Sequence, residues 1–329
     1  MKIAAYDVRE DEKIYFEEII KQLDLEIVYI DEILSMDTIE LAKNCDGVSI
    51  LGHSQIDSTI LNKLKDLNIK YISTRTVGYN HIDLEYANKI GIKVSNSNYP
   101  PSGVAEYTVM LMLMSSRNYK QAMFRGNVND YSLAGLRGKE IKDLTVGVIG
   151  SGKIGCAVID ILQGFGCKII VYDKFVKEEI KLKAEYVDLE TLYKDSDVIT
   201  LHTPLLKETY HMINKETINK MKDGVILINC ARGELMDIEA VIEGIEEKKI
   251  GALGLDVIEN EEGIYHKDRR TDILINRQMA YIRQFPNVTM TQHIAFYTDT
   301  AVKSMVTCSV KSLVDFINTG KSELEITNN

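Results

Sequence analysis

The sequence feature that most constrains the fold is a glycine-rich turn, GSGKIG, at residues 150–155. It follows the apolar segment LTVGVI, which has the composition of a buried strand, and it precedes an amphipathic helix. A strand, this glycine spacing and a helix together are typical of a dinucleotide-binding unit. Gly150 permits the tight turn, Gly152 lets the backbone approach a pyrophosphate, and Gly155 lets helix and strand pack closely. The free N–H groups at the helix start favour an anion.

A phosphate-binding P-loop is the competing interpretation, because residues 147–153 read GVIGSGK and match the pattern GxxxxGK. A P-loop continues with Ser or Thr, whose hydroxyl binds Mg²⁺, whereas this chain continues with Ile154. Gly147 also lies inside the apolar segment rather than after it. The sequence therefore favours a dinucleotide over a nucleoside triphosphate.

The type of dinucleotide is indicated by Asp173, which closes the next predicted strand, KIIVYD. A carboxylate there accepts hydrogen bonds from the adenine ribose hydroxyls and repels the 2′-phosphate of NADP. The sequence therefore predicts NAD as the cofactor. Lys174 adjoins the carboxylate and would weaken that preference, and a solvated Asp-Lys strand end is the alternative interpretation.

Strand-like and helix-like segments alternate along most of the chain, which predicts an α/β fold with parallel sheets. The length, 329 residues, suggests about two domains. In the N-terminal part, Ile14–Leu23 has helical spacing, and the predicted strands are Ile3–Tyr6, Glu26–Ile30, Gly47–Leu51 and Tyr71–Thr74. From Leu144 onward, the six strands expected of two mononucleotide-binding halves are Thr145–Ile149, Lys168–Tyr172, Val198–His202, Val225–Asn229, Ala252–Val257 and Val288–Thr291.

Two segments interrupt this alternation. After Pro100 and Pro101, Ser102 is predicted to cap a helix that runs to about Asn118 and is apolar nearly all round. Such a helix is buried, either between domains or at a subunit interface, and the sequence leaves both possibilities open. The second segment, Glu259–Phe285, is a long polar excursion, which is uncommon unless it is functional or partly helical.

Composition disfavours several classes of protein. Lys and Arg total 39 while Asp and Glu total 49, and the net charge of −10 disfavours a binder of nucleic acid or anionic membranes. No apolar run approaches the ~20 residues that span a bilayer, and the acidic start of the chain differs from a signal peptide. Scattered cysteines indicate reduced thiols in the cytoplasm, without a disulfide framework or a metal site: Cys45, Cys156, Cys167, Cys230 and Cys308.

Chemically active side chains follow three of the predicted strands. Arg232 comes after GVILINCA, and His293 comes after NVTMTQ. Glu259 and Glu261 follow ALGLDVI. Because ligands of open α/β sheets bind beyond the carboxyl ends of the strands, we expect these groups beside a bound dinucleotide. Arg232 would hold a substrate carboxylate, and His293, oriented by a carboxylate, would give or take a proton. Together with NAD, they would interconvert a 2-oxo acid and a 2-hydroxy acid.

The alternative interpretation is that Arg232 and His293 are surface groups at strand ends and that Glu261 belongs to a solvated acidic loop. His202 precedes Thr203 and Pro204 at another strand end and is expected to line the cofactor crevice. The remaining histidines have less support from the pattern: His53, His81, His211 and His266.

Five motifs together make the chain resemble the D-isomer-specific 2-hydroxyacid dehydrogenase family, and within it the D-lactate dehydrogenase-like branch. The resemblance covers nearly the whole chain. Its motifs are RTVGYNHID (75–83), GVIGSGKIG (147–155), KMKDGVILINCARGELMD (220–237), LDVIENEEG (255–263) and TQHIAFYTDTAV (291–302).

The resemblance implies two domains with parallel, doubly wound sheets. A Rossmann NAD-binding domain, 102–297, would be inserted into a flavodoxin-like substrate domain made of 1–101 and 298–329. The implied catalytic residues are Arg232 as carboxylate anchor, His293 as acid/base and Glu261 as its partner. The implied substrate-binding residues are Leu51, Val77, Gly78, Tyr99, Phe296 and Tyr297. With the residues named above, the predicted cofactor set is Gly150, Gly152, Lys153, Ile154, Gly155, Asp173, His202, Thr203, Pro204, Cys230, Ala231 and Asp256.

The chain departs from the family's pattern at two positions. Gln292 stands where most relatives have Pro, which would loosen the loop that carries His293. Leu51 stands where pyruvate-preferring relatives have Tyr, which would enlarge the substrate pocket. The resemblance therefore implies NADH-dependent reduction of pyruvate or a somewhat larger 2-oxo acid, such as 2-oxoisocaproate or phenylpyruvate, to the D-2-hydroxy acid.

Two further expectations concern partners. An NAD(H)-sensing, corepressor-like binding protein on the same fold is the alternative function, because fold does not dictate function. A homodimer is also expected, since apolar residues of the helix after Pro101 cover too many faces for one core: Val109, Leu111, Met112 and Leu113.

Overall fold

The computed structural model describes residues 1–327, and the chain divides into two compact units. Unit 1 consists of Met1–Pro100 and the segment from Tyr297 onward, and unit 2 is Pro101–Phe296. The predicted domain limits, 1–101 with 298–329 and 102–297, lie one residue away from these bounds. Residues 328 and 329 of that prediction lie outside the described part.

Unit 1 is built on five parallel strands in the order 2-1-3-4-5, which is that of the flavodoxin-like fold. The strands are β1 (Lys2–Tyr6), β2 (Glu26–Ile30), β3 (Gly47–Ile50), β4 (Tyr71–Thr74) and β5 (Lys93–Ser95). The last was not predicted, because Val94 is its only apolar residue. Helices cover both faces, so that the alternate side chains of β1 belong to two different buried clusters.

Unit 2 is built on seven parallel strands. Numbered along the unit, they lie side by side in the order 3-2-1-4-5-6-7, and the first six in this row match the doubly wound order. In chain order they are β6 (Thr145–Ile149), β7 (Lys168–Tyr172), β8 (Glu185–Tyr186), β9 (Val198–Leu201), β10 (Val225–Asn229), β11 (Ile250–Leu255) and β12 (Val288–Met290). The predicted fold class is thereby confirmed. The six predicted strands all form, and the two-residue β8 is the additional one.

The helices begin mostly at side chains that satisfy the free N–H groups of their first turn. Asp57, Asp83, Asp188, Asn214, Asp237, Asn276 and Thr298 act in this way. The helices of unit 1 are α1 (Glu10–Leu23), α2 (Ser58–Asp66), α3 (Leu84–Ile90) and α12 (Asp299–Thr319). Those of unit 2 are α4 (Ser102–Ser116), α5 (Tyr119–Asn127), α6 (Lys153–Gln163), α7 (Glu178–Lys181), α8 (Leu189–Asp195), α9 (Lys215–Lys220), α10 (Ile238–Glu246) and α11 (Arg277–Ile282). No helix within residues 1–327 is both long enough and apolar enough to cross a membrane.

Helix α4 corrects two expectations. Pro101, not Ser102, occupies the cap position, and Ser102 is the first helical residue. The prediction that its apolar residues face a second subunit is also wrong for three of the four. Val109, Leu111 and Met112 are buried in the core of unit 2, where α4 packs against α6, β10 and β11, and the apolar composition reflects that burial.

The long excursion between β11 and β12 is partly helical, which is one of the two explanations expected for a segment of this length. Helix α11 lies within it and is capped by Asn276, whose side-chain amide also donates to the backbone carbonyl of Glu259 at 3.1 Å. This hydrogen bond links the start of α11 to the segment that follows β11.

Candidate active site

The glycine-rich turn follows β6, whose neighbours β7 and β9 lie on opposite sides, so the turn sits where the strand order reverses. Gly150 has φ 99°, and a Cβ there would lie 2.6 Å from the carbonyl oxygen of His202. A Cβ on Gly155 would overlap the carbonyl oxygen of Gly150. A Cβ on Gly152 would meet no protein atom within 4 Å, so the backbone there borders open space that a pyrophosphate would fit.

Helix α6 begins directly after this turn, with Lys153 and Ile154 in its first turn. Its cap residue is Gly152, which has no side chain to accept a hydrogen bond from the first N–H groups. Those donors and the helix dipole suit an anion. The turn therefore fits the pyrophosphate of NAD.

Asp173 follows β7 and binds the turn itself. Its Oδ2 accepts hydrogen bonds from the backbone N–H of Ser151 at 2.6 Å and from the Ser151 hydroxyl at 3.0 Å, and its Oδ1 accepts the N–H of Phe175 at 2.9 Å. Burial opposes ionisation, but the N–H groups of Phe175 and Ser151 outweigh it and hold the pKa of Asp173 below its usual range. Lys174 pairs with Glu208 at 3.3 Å instead of with this carboxylate.

The predicted cofactor residues that follow β9 and β10 are uncharged. His202, Thr203 and Pro204 follow β9, and burial lowers the pKa of His202 to about 3, so the imidazole stays neutral. Cys230 and Ala231 follow β10, and burial raises the pKa of the Cys230 thiol to about 12. All predicted cofactor residues thus lie at the carboxyl ends of strands of unit 2.

Asp256, which follows β11, holds the loop that carries His293. Its buried carboxylate accepts the Thr291 hydroxyl at 2.6 Å and the N–H groups of Ile294 and Ala295 at 2.9 and 2.8 Å. Its carbonyl oxygen accepts the N–H of His293 at 2.7 Å. Sequence reasoning missed this anchoring function, because the partners lie more than 30 positions apart in the chain.

His293 adopts φ 55° and directs its Nδ1 to a carboxylate oxygen of Glu261 at 2.5 Å. The other oxygen of Glu261 accepts the N–H of Ile258 at 2.9 Å. Both side chains are largely but not fully covered, with 31% of the imidazole and 19% of the carboxylate exposed. Glu259 instead bonds His211 at 3.2 Å, so Glu261 is the group in contact with His293.

Arg232 follows β10 in a turn held by Asn229. The Asn229 amide accepts the N–H of Ala231 at 2.9 Å and donates to the carbonyl of Arg232 at 2.8 Å. A Cβ on Gly233 would overlap the backbone of Ile258, so this turn packs directly on the segment leading to Glu261. Strands β10, β11 and β12 are neighbours, and the structure therefore places Arg232, Glu261 and His293 along one edge of the sheet.

Glu234 is a charged group of this edge that sequence reasoning did not single out. Burial, with the nearby carboxylates of Glu262 and Glu261, raises its pKa above the usual range, while Arg232 opposes the shift. Its backbone carbonyl accepts the N–H of His211 at 2.9 Å.

The predicted substrate residues are divided between the units. Phe296 lies in unit 2, with its ring centroid 6.1 Å from that of His293. In unit 1, Leu51 is buried after β3, and Val77 and Gly78 follow β4, where the Thr76 hydroxyl donates to the Gly78 carbonyl at 2.6 Å. Tyr99 follows β5, and Tyr297, half exposed, has the Arg9 guanidinium 5.3 Å from its ring centroid.

The structure also pairs two histidines for which the sequence offered little support. His53 Nδ1 lies 2.7 Å from a carboxylate oxygen of Asp7, and His211 bonds Glu259 while stacking on Tyr210 at 3.9 Å between centroids. Each partner lies more than 40 positions away, so no local motif marks these pairs. Among residues 1–327, no cluster of three or more His, Cys, Asp or Glu is arranged to hold a metal ion.

Comparison with known proteins assigns the family. Residues 109–295 match the family model described as "D-isomer specific 2-hydroxyacid dehydrogenase, NAD binding domain". The chain belongs to this family. As one of the D-isomer specific 2-hydroxyacid dehydrogenases, it is an NAD-dependent oxidoreductase.

Individual members of the family are similar over their full length. An aromatic 2-oxoacid reductase of Clostridium sporogenes is 44% identical, with 96% of each chain covered. A D-lactate dehydrogenase of Lactiplantibacillus plantarum is 39% identical, with 99% of each chain covered. Among solved structures, D-2-hydroxyisocaproate dehydrogenase has a TM-score of 0.90 at 35% identity, with 100% of both chains covered. The relatives' names thus include both small and bulky substrates.

Proposed function

We propose that this dehydrogenase reduces a 2-oxo acid to the D-2-hydroxy acid with NADH. The observation that carries the proposal is the 2.5 Å pair of His293 with Glu261, at the same sheet edge as Arg232 and the cofactor turn. An imidazole backed by a carboxylate is a proton donor near neutral pH. The side chains at this edge are therefore those that carbonyl reduction requires.

The residues divide the reaction between them. Arg232 binds the substrate carboxylate through two parallel charge-assisted hydrogen bonds and so fixes the position of C2. Bound NADH would supply the hydride that C2 receives. His293 donates its proton to the carbonyl oxygen, which becomes the hydroxyl, and Glu261 orients the imidazole through its hydrogen bond with Nδ1.

The remaining predicted contacts form part of the proposal. The backbone N–H groups of Val77 and Gly78 would bind the substrate carboxylate, and Asp173 would bind the adenine ribose. Phe296 supports a contact with the substrate side chain, because its ring lies beside the His293 imidazole. Leu51, Tyr99 and Tyr297 are proposed for the same purpose on the family pattern.

The preferred substrate is proposed to be pyruvate or a larger 2-oxo acid with a branched or aromatic side chain. Two observations support a larger one. The relative that is 44% identical is named an aromatic 2-oxoacid reductase, whereas the D-lactate dehydrogenase reported above is 39% identical. In addition, Leu51 stands where pyruvate-preferring relatives have the larger Tyr.

The test is a series of 2-oxo acids of increasing size: pyruvate, 2-oxoisocaproate and phenylpyruvate, each followed by the loss of NADH absorbance. We expect turnover with all three and the highest kcat/KM for one of the larger two. Arg232→Lys should mainly raise KM, because an ammonium group cannot replace the bidentate guanidinium. Tight NADH binding without turnover of any 2-oxo acid would contradict the enzyme and support a sensor.

We also infer that the protein is a homodimer. Exposed apolar side chains concentrate on α5 and the segment after it: Tyr119, Met123, Phe124, Val128, Tyr131 and Leu133. Light scattering should give twice the chain mass, and Phe124→Glu should reduce it. Leu182→Glu, at an apolar residue that is also exposed but lies outside this segment, is the control that should leave the mass unchanged. A wild-type monomer at micromolar concentration would overturn the inference.

A further inference from the structure

His266, in the excursion between β11 and β12, contacts the loop that carries His293. Its Nε2 lies 3.1 Å from the backbone carbonyl oxygen of His293. The rings of His266, His293 and Phe296 form a triangle, with centroid separations of 6.1, 6.3 and 6.1 Å. The sequence pattern gave His266 less support than His293, and the mechanism above does not use it.

The local chain path explains how His266 reaches this position. The carbonyl oxygen of Glu261 accepts the N–H groups of Ile264 and Tyr265 at 3.0 and 3.2 Å, so the chain turns sharply just after Glu261. The same short segment therefore contacts His293 twice. Glu261 bonds its imidazole, and His266 bonds its backbone.

The peptide group between His293 and Ile294 is held from both ends. Its carbonyl oxygen accepts from His266, and its N–H donates to the carboxylate of Asp256 at 2.9 Å. Because the backbone on both sides of His293 is anchored to Asp256, a change in ψ of His293 must be compensated by a change in φ, which moves Cβ and redirects the imidazole. His293 also has a left-handed φ of 55°, a conformation that a non-glycine residue keeps only where its surroundings impose it.

We propose that His266 is a positioning residue, which clamps the peptide after His293 and so aims the imidazole at Glu261 and the substrate carbonyl. This proposal rests on the proposed function of His293 as proton donor. An imidazole whose Nε2 carries a proton donates this hydrogen bond whether it is neutral or charged. The clamp therefore needs a donor at Nε2 and does not need a charge on the ring.

Two substitutions of His266 distinguish the effect of its hydrogen bond from the effects of its aromatic ring and of the charge on that ring. His266→Phe keeps an aromatic ring beside Phe296 but removes the donor, whereas His266→Gln removes the ring and its charge but keeps a donor at the position of Nε2. His266 is exposed, so neither change opens a cavity in the core. Thermal unfolding of both variants checks that the fold is intact.

For His266→Phe we expect the kcat for reduction to fall by up to about 10-fold, the effect of one lost hydrogen bond. The alkaline limit of the pH profile should move to lower pH, because a misdirected imidazole loses contact with Glu261, and the Kd for NADH should stay unchanged. His266→Gln should retain most of the turnover and the wild-type pH limit. Two titratable side chains next to the His293 ring are Glu261, bonded to Nδ1, and His266, whose ring centroid is 6.1 Å away.

The positioning role would be overturned if both variants kept the wild-type kcat and pH limit. It would also be overturned if kcat fell equally in both, because the hydrogen bond would then not be the cause. The failure of the proposed function is separate, because it would appear as absence of turnover in the wild type. In that event, NMR of the histidine rings still tests the clamp. The ¹⁵N signals of the His293 ring, assigned with His293→Ala, report its hydrogen bond to Glu261 and should shift in His266→Phe much more than in His266→Gln.

Discussion

Two loops of unit 2, the glycine-rich turn after β6 and the histidine loop after β12, solve the same structural problem. Each follows the carboxyl end of a parallel strand and holds one residue at positive φ, Gly150 at 99° and His293 at 55°. Each also donates backbone N–H groups to a carboxylate that follows a neighbouring strand, Asp173 or Asp256. The two loops differ in which residue adopts the unusual backbone conformation.

A glycine adopts positive φ without strain, so no outside contact is needed to hold Gly150 in that conformation. The loop after β12 has a histidine at the equivalent position, and a histidine with positive φ is strained. Contacts from remote parts of the chain hold it in place, from Asp256 and His266 on the backbone and from Glu261 on the ring. The comparison shows that the conformation of the glycine turn is encoded locally, whereas that of the histidine loop depends on tertiary contacts.

The largest effect is expected when the imidazole of His293 is removed from the loop after β12. His293→Ala should lower kcat by about 10²–10⁴-fold, the range of general acid catalysis, with little change in the Kd for NADH. His211→Ala is the matched control, because His211 also pairs with a glutamate and has a left-handed backbone. Steady-state kinetics on both variants checks this, and equal losses would contradict the assignment of His293.

The glycine turn is tested by two substitutions that act differently. Gly155→Ala should lower the unfolding temperature, since its methyl group overlaps the Gly150 carbonyl and such overpacking costs about 1–3 kcal/mol. Gly152→Ala should leave the unfolding temperature unchanged, because no protein atom lies within 4 Å of the added carbon. It should nevertheless weaken NADH binding about 10-fold, since the methyl group occupies the space of the pyrophosphate. Unchanged affinity in Gly152→Ala would place the pyrophosphate elsewhere.

The charge of Glu261 is expected to set the pH range of reduction. Glu261→Gln keeps a hydrogen-bonding side chain but removes the charge that favours the protonated imidazole. The proton donor is then lost at lower pH, so the alkaline limit of kcat/KM for reduction should fall, while oxidation of the 2-hydroxy acid is affected less. Glu259→Gln should leave that limit in place, because Glu259 bonds His211. If the limit moved only in Glu259→Gln, the partner would be misassigned.

The smallest expected effect concerns cofactor choice at the glycine turn. Asp173→Ala should narrow the preference for NADH over NADPH several-fold, because the carboxylate that repels the 2′-phosphate is gone. The gain is limited, since Asp173 also accepts the N–H groups of Ser151 and Phe175, and its loss loosens the turn. The ratio of kcat/KM values for the two cofactors is the measurement. Equal kcat/KM values for NADH and NADPH in the wild type would show that Asp173 does not select the cofactor.

Much of the fold was predictable because its signals are local. The six longer strands of unit 2 and the turn after β6 are marked by apolar runs and by glycine, whose effects act within a few residues. Strand β5 escaped prediction because Val94 is its only apolar residue, and β8 because two residues show no periodicity. Helix α4 illustrates another limit, since an apolar sequence requires burial but does not say which surface covers Val109, Leu111 and Met112.

The sequence by itself determined the parallel α/β architecture, the place of the cofactor turn and the candidates Arg232, Glu261 and His293, because each belongs to a short motif at a strand end. The residue pattern left Glu259 and Glu261 open, and the family resemblance implied Glu261. Only the tertiary structure showed that Glu261 contacts His293, and that Asp256 and His266 hold its backbone. The physical reason is that these hydrogen bonds join loops 27 to 48 positions apart. Their partners are chosen by the register of neighbouring strands, which no local pattern records.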